Sequence, residues 1–221
     1  MNGKLIVIEG LDGSGKNTQA QKLLELLESR GEKVMKVSFP NYDSDSSALI
    51  KMYLAGEFGK KADSVNPYAA SSFYAVDRFA SYTKNWKDFF LSGGTVIADR
   101  YTTSNAIHQC AKLPDQEWDG FIKWLFHYEY ELLGIPAPFR TVYLRVDPEV
   151  SQKLMTGRYH GDEAKKDIHE ANLAYLKRSR QAADFCAKTL GWSVIECTDG
   201  SSMKSIDEIH KEILQTIQLG G

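Results

Sequence analysis

The stretch GLDGSGKNT, residues 10–18, decides how the rest of the chain is read. It has the order of a phosphate-binding loop: Gly10, four residues, Gly15, Lys16, then a position that ordinarily carries Ser or Thr. The glycines let successive backbone N–H groups curl around phosphate. The start of the following helix adds partial positive charge, and Lys16 is placed to pair with the β- and γ-phosphates. Residues Gly10, Leu11, Asp12, Gly13, Ser14, Gly15, Lys16, Asn17 and Thr18 are therefore the candidate ATP contacts. The exception is Asn17, which stands where a hydroxyl would hold Mg²⁺. An amide oxygen is a neutral hard ligand that Mg²⁺ tolerates. Thr18 points about 100° further around a helix and does not easily take that place. The expectation is a working loop whose metal is held more by phosphate and by the carboxylates of Asp12 and Asp99 than by residue 17.

Outward from the loop, five short runs read as strands: KLIVIE (4–9), KVMKVSF (33–39), TVIAD (95–99), TVYLRV (141–146) and WSVIEC (192–197). They are rich in β-branched residues and mostly unalternated, as strands buried on both faces are. Helical patterns lie between them at 18–30, ending on Gly31, and at 67–91, 119–133, 164–190 and 203–218. Strands alternating with helices predict an α/β fold: a five-stranded parallel sheet with helices on both faces. No linker or repeat divides the chain, so residues 1–221 read as one domain, with 40–66 and 155–166 as excursions from it. In such sheets ligands bind beyond the carboxyl ends of the strands. GLDGSGKNT, FPNYD and DRYTTSN sit at three of those ends and converge on one site.

Composition limits the alternatives. The net charge of −2 gives no global basic field for nucleic acid or anionic membrane. Cys110, Cys186 and Cys197 are odd in number and form no C-x-x-C pair, which predicts a reducing compartment. The apolar run Leu5–Ile8 is far too short for a signal or membrane segment. A cytoplasmic protein is expected.

The residue types near these loops suit a phosphate acceptor. Asp99, closing a buried strand, is positioned to orient Mg²⁺ through water, and Arg100 offers a planar donor fork for phosphate. Tyr74 and Arg78 are four apart and share a helical face, where a ring can stack on a base and a guanidinium can donate to its carbonyl. Phe73 is the alternative to Tyr74, one residue away. Asn105, after Ser104, presents both a donor and an acceptor to a pyrimidine edge.

The motifs IEGLDGSGKNTQ, SFPNYD, FYAVDR, IADRYTTSNAIHQ and YLRVDPEV occur in the order and rough spacing of thymidylate kinases. The chain resembles that family of P-loop nucleoside monophosphate kinases over about residues 4–198. The resemblance implies a P-loop kinase fold with a short lid at about 153–166. It implies ATP and dTMP as substrates, Mg²⁺ as cofactor, and a homodimer formed through helices matching 67–91, with part of 40–60 as a further candidate. It assigns Phe39 and Pro40 to the acceptor site and Arg100 to the acceptor phosphate. It places the aromatic ring at 73 or 74 on thymine and Arg78 on the base carbonyl. His108 stands where many bacterial members carry a Tyr near the sugar, and Gln109 is a further candidate for the base. In the family the residue at position 17 varies, which favours a working loop. One subtype carries an Arg where this chain has Gly13, and the other supplies positive charge from the lid. Arg158 is the leading lid candidate; of the family's usual lid pattern Asp167 and Glu170 remain, and Ile168 replaces the Arg. The expected catalytic set is Lys16, Asp12, Asp99 and Arg158. The alternatives at this point are a kinase for another monophosphate or a deoxynucleoside, and a non-catalytic nucleotide-binding protein.

Overall fold

The computed structural model describes residues 3–61, 63–147, 149–151, 173–200 and 202–217. Its centre is a parallel sheet of five strands: β1 (Lys4–Gly10), β2 (Val34–Ser38), β3 (Thr95–Asp99), β4 (Arg140–Arg145) and β5 (Ser193–Glu196), in the order β2-β3-β1-β4-β5. The crossovers carry α1 (Lys16–Ser29), α2 (Ala48–Leu54), α3 (Pro67–Ser81), α4 (Lys87–Leu91), α5 (Thr102–Cys110), α6 (Trp118–Phe126) and α7 (Leu173–Leu190). Helix α8 (Ile206–Thr216) follows the sheet. A two-residue-per-strand hairpin, β6 (Thr198–Asp199) with β7 (Ser202–Met203), links β5 to α8.

The absence of alternation in the strands has the expected cause. Ile6 and Ile8 of β1 pack with Leu23 and Leu27 of α1 and with Ile209 and Ile213 of α8 on one face. Leu5 and Val7 face the opposite way, into Trp86, Phe90, Val96 and Tyr101. The inner strands β1 and β3 bury both of their period-two sides, so they are apolar along most of their length, whereas the edge strands β2 and β5 stay partly exposed. Helix α1 stops where the sequence predicts: Gly31 takes φ 75° and its N–H donates to the Glu28 carbonyl.

Two long helical patterns are interrupted. Residues 67–91 form α3 and α4 joined through a wider turn at Tyr82–Trp86, and α6 runs into a similar wide turn at His127–Leu132. Short helices α2 and α5 and the 198–203 hairpin were not marked out by periodicity. They are brief, and in α5 nearly every residue is buried, so no amphipathic stripe exists to be read. Among the described residues no helix is long and apolar enough to cross a membrane.

Register places the ligand-binding end. Ile8 of β1 lies beside Asp99 of β3, and Ser38 of β2 lies on the other side of Asp99. The loops after β1, β2 and β3 therefore leave the sheet at one level. The Phe39 N–H donates to the Asp99 carbonyl (3.0 Å), which carries the Phe39–Pro40 corner to the end of β3.

Candidate active site

The loop after β1 is shaped by its glycines. A Cβ on Gly10 would lie 2.8 Å from the Leu144 carbonyl and 2.5 Å from Ser14 Oγ, so no larger residue fits. Gly15 takes φ 84° to turn the chain into α1. Ser151 Oγ donates to the Asp12 carbonyl (2.8 Å) and steadies the loop from the far side. Lys16 lies folded over the loop, donating to the Leu11 carbonyl (2.9 Å) with Asp12 at 3.9 Å. Burial lowers its pKa and the Arg100 charge adds to that, while Asp12, Asp99 and Glu9 oppose it.

Arg100 is the one non-glycine residue with positive φ among the described residues, at 66°. A bulky residue in that region is held there by its surroundings. Its N–H donates to the Ile8 carbonyl (3.2 Å). Its guanidinium donates to Asp12 Oδ1 (2.5 Å) and to Ser104 Oγ (3.2 Å), and lies 3.7 Å from Glu9 Oε1. Desolvation works against the Arg100 charge, but Asp12, Glu9 and Asp99 outweigh it and raise the pKa. Desolvation likewise opposes ionisation of Asp12, and Arg100, Lys16 and His108 outweigh it, holding the carboxyl well below its usual range.

Glu9, fully buried, accepts from the Gly10 N–H (2.9 Å) and from Thr103 Oγ1 and Ser104 Oγ (both 2.8 Å). Motif reading passed over it, although a carboxylate in a strand buried on both faces is itself a signal: such a charge persists only when paired.

The acceptor-side candidates gather between α3 and α5. Tyr74, Arg78, Ser104, Asn105, His108 and Gln109 all line a cavity of about 1100 Å³ that also includes Phe39, Pro40, Asp99, Arg100 and loop residues Asp12 to Thr18. The choice between adjacent aromatics is decided spatially. Tyr74 faces the cavity, whereas Phe73 packs away from it against Tyr53 and Phe58. Gly10 and Leu11 lie behind the cavity wall. Arg158 and the segment 153–166 fall outside the described residues.

Arg78 is nearly fully buried. Its Nε and Nη2 both donate to Glu129 (2.6 Å each), and Nη1 reaches the Tyr101 carbonyl at 3.4 Å. Thr102 Oγ1 adds a third hydrogen bond to Glu129 (2.8 Å). A bidentate fork of this kind fixes the guanidinium plane at the cavity floor. Asp77, next to Arg78, accepts from the Asn41 N–H (2.8 Å) and from Ser46 Oγ (2.6 Å), tying the segment after Pro40 to α3. Asn105 Nδ2 donates to the Ser71 carbonyl (3.3 Å), which fixes the side-chain amide. His108 stacks on Tyr175 of α7 at 6.2 Å, and Tyr175 Oη donates to its carbonyl (2.8 Å).

The opposite end of the cavity is closed by Met203, Lys204, Ile206 and Ile209. Gln19 Nε2 donates to the Ile206 carbonyl (2.9 Å), fastening α1 to the start of α8. These residues carry no motif and were not foreseen.

The carboxylates offer unequal metal sites. Asp99 lines the cavity, is only 8% exposed, and its carboxylate accepts no hydrogen bond among the described residues. That is a free hard-oxygen donor suited to a divalent cation or its water shell. Asp12 gives one oxygen to Arg100. The Asn17 oxygen is taken by Lys36, whose Nζ donates to it at 2.7 Å. The donor set fits a cation held chiefly at Asp99.

Comparison with known proteins follows the same lines. A family model for thymidylate kinase matches residues 8–213. The chain is 32% identical over 196 residues to the thymidylate kinase of Mycobacterium tuberculosis, covering 86% of this chain and 90% of that one. It is 28% identical to the thymidylate kinase of Schizosaccharomyces pombe over 97% of this chain and 91% of the relative. The solved structure of thymidylate kinase from Candida albicans superposes with a TM-score of 0.71 at 23% identity, covering 98% of this chain and 92% of that one, and shares the fold.

The Arg78–Glu129 pair yields a stability prediction. Removing one member of a buried pair strands the other charge, so Glu129→Ala is expected to cost about 3–5 kcal/mol in denaturant unfolding. An unchanged unfolding midpoint would show that the pair does not hold the cavity floor.

Proposed function

This chain belongs to the thymidylate kinase family, and from that premise we propose that it transfers a phosphoryl group from ATP to dTMP, giving ADP and dTDP. The observation that carries the reading is one cavity lined by the phosphate loop at one end and by Tyr74, Arg78 and Asn105 at the other, with Arg100 between them. ATP lies along the loop, its phosphates on the N–H groups of residues 13–18 and on Lys16. The dTMP base stacks on Tyr74, with Arg78 and Asn105 at its polar edge and Gln109 behind them. Phe39 and Pro40 wall the acceptor side. His108 and Ser104 flank the sugar, and Arg100 donates to the acceptor phosphate in place of its contact with Asp12.

The acceptor phosphate oxygen is already a competent nucleophile, so direct transfer needs no covalent enzyme intermediate. Catalysis is then positioning plus stabilisation of charge on the transferred group. Lys16 and Arg100 supply charge from the described residues, and Arg158 from the lid at 153–166. Mg²⁺, held at Asp99 with Asp12 nearby, adds positive charge to the phosphate oxygens when bound.

In this reading residues 1–221 act as one P-loop kinase domain, cytoplasmic, with no nucleic-acid or membrane partner. A homodimer is supported by the half-exposed Val76 and the exposed Phe79 and Tyr68 on α3, an apolar stripe of the kind that pairs with a second copy.

Coupled ADP release across the common nucleoside monophosphates tests the function: dTMP is expected to be the preferred acceptor, and equal rates with purine monophosphates would contradict it. Lys16→Ala should lower turnover by about 10²-fold or more, as loss of a transition-state charge does. The metal assignment has its own test, Mg²⁺ titration of turnover. Asn17→Ala should cost less than about tenfold, equivalent to about 1.4 kcal/mol, and Asp99→Asn distinctly more. The reverse ranking would make residue 17 an essential ligand.

A further inference from the structure

Lys36 has no place in the reading above. It lies in edge strand β2, and period two puts it on the same face as Val34, which packs against the core of α1, and as Ser38, which lines the cavity. Its ammonium donates to Asn17 Oδ1 (2.7 Å) and to Gln21 Oε1 (3.2 Å). Both acceptors are neutral amides. Among the described residues no carboxylate lies within salt-bridge distance of Lys36, whose half-buried ammonium is met by the two amides alone. It stands one hydrogen bond behind Asn17, itself part of the cavity wall at the second residue of α1.

The pairing also fixes what Asn17 can do. An ammonium only donates, so the amide must turn its oxygen to Lys36. Its NH₂ group is left as the end able to face an anion. Residue 17 therefore presents a hydrogen-bond donor backed by a full positive charge, at the place where a hydroxyl residue would present a lone pair to a divalent cation. That arrangement suits phosphate oxygens and opposes a second cation.

Resting on the donor-site reading given above, we propose that Lys36 and Asn17 form a phosphate-binding pair of the donor subsite. The pair holds the nucleotide's phosphates on the Asn17 amide N–H, backed by the Lys36 charge one hydrogen bond away, where the usual P-loop hydroxyl holds them through a metal. The chain then binds its donor nucleotide with a reduced dependence on divalent cation.

Calorimetric binding of ADP, in EDTA and in saturating Mg²⁺, tests this without recourse to turnover. Lys36→Met keeps the aliphatic stem and removes the charge. It should weaken metal-free ADP binding by about tenfold, the loss expected for one charge-assisted contact, while Mg²⁺ restores most of the affinity. Lys36→Arg should retain metal-free binding. Asn17→Thr, a change on the exposed start of α1, should weaken metal-free binding and steepen the Mg²⁺ dependence. Metal-free affinity within twofold of wild type in both Lys36→Met and Asn17→Thr would overturn the proposal. So would equal losses with and without Mg²⁺. Failure of the wild-type chain to bind ADP under either condition would instead overturn the donor-site reading beneath it.

Discussion

The structure depends on one constraint: a guanidinium at the end of β3 held between two acids, one at the end of β1 and one in the loop that follows it. Arg100 leaves β3 with φ 66° and lies between Glu9, the penultimate residue of β1, and Asp12 in the phosphate loop. The β1–β3 register makes this contact possible, because Ile8 lies beside Asp99. Glu9 in turn fastens the start of α5 through Thr103 and Ser104. A single, largely buried charge cluster thereby fixes the loop after β1, the β3 end and α5 relative to one another. Paired buried charges of this kind are costly to disturb singly, since each removal strands the others.

From that cluster the rest of the cavity follows. Glu129 clamps Arg78 from below and Thr102 beside it, so α3 and α5 present their polar groups at a fixed separation. Asp77 brings the segment after Pro40 onto α3. On the donor side, Gln19 joins α1 to α8. In the proposed reaction two nucleotides placed across such a frame meet with their phosphates over Arg100, which reaches the loop through Asp12 and α5 through Ser104. Asp12 accepts from that guanidinium, and a phosphate offers the same donors a stronger partner.

Much of this was legible in the chain. Gly10, Gly15 and Lys16 announce the loop, and five apolar runs announce a sheet buried on both faces, because both signals are local. Tyr74 and Arg78 were readable from helical spacing, although spacing alone left Phe73 as a rival until packing against Tyr53 and Phe58 removed it from the cavity. The supporting partners were not readable. Glu129 lies 51 residues from Arg78, and Lys36 lies 19 residues from Asn17. Each pair is made by topology, and no periodicity links its members. The donor-end residues Met203 and Ile206 are ordinary in sequence and gain meaning only where the hairpin places them beside α1. Asn17 looked like a defect in a motif. With Lys36 against it, the substitution is half of a pair.

The central claim is that donor and acceptor lie side by side in one cavity, their phosphates meeting over Arg100. Binding of a bisubstrate compound, adenosine and thymidine joined through five phosphates, measures this directly. The account predicts that it displaces both ADP and dTMP and binds more tightly than either, because joining two ligands of one site removes the cost of assembling them separately. Displacement of only one of the two nucleotides, or an affinity no better than that of ADP alone, would contradict it.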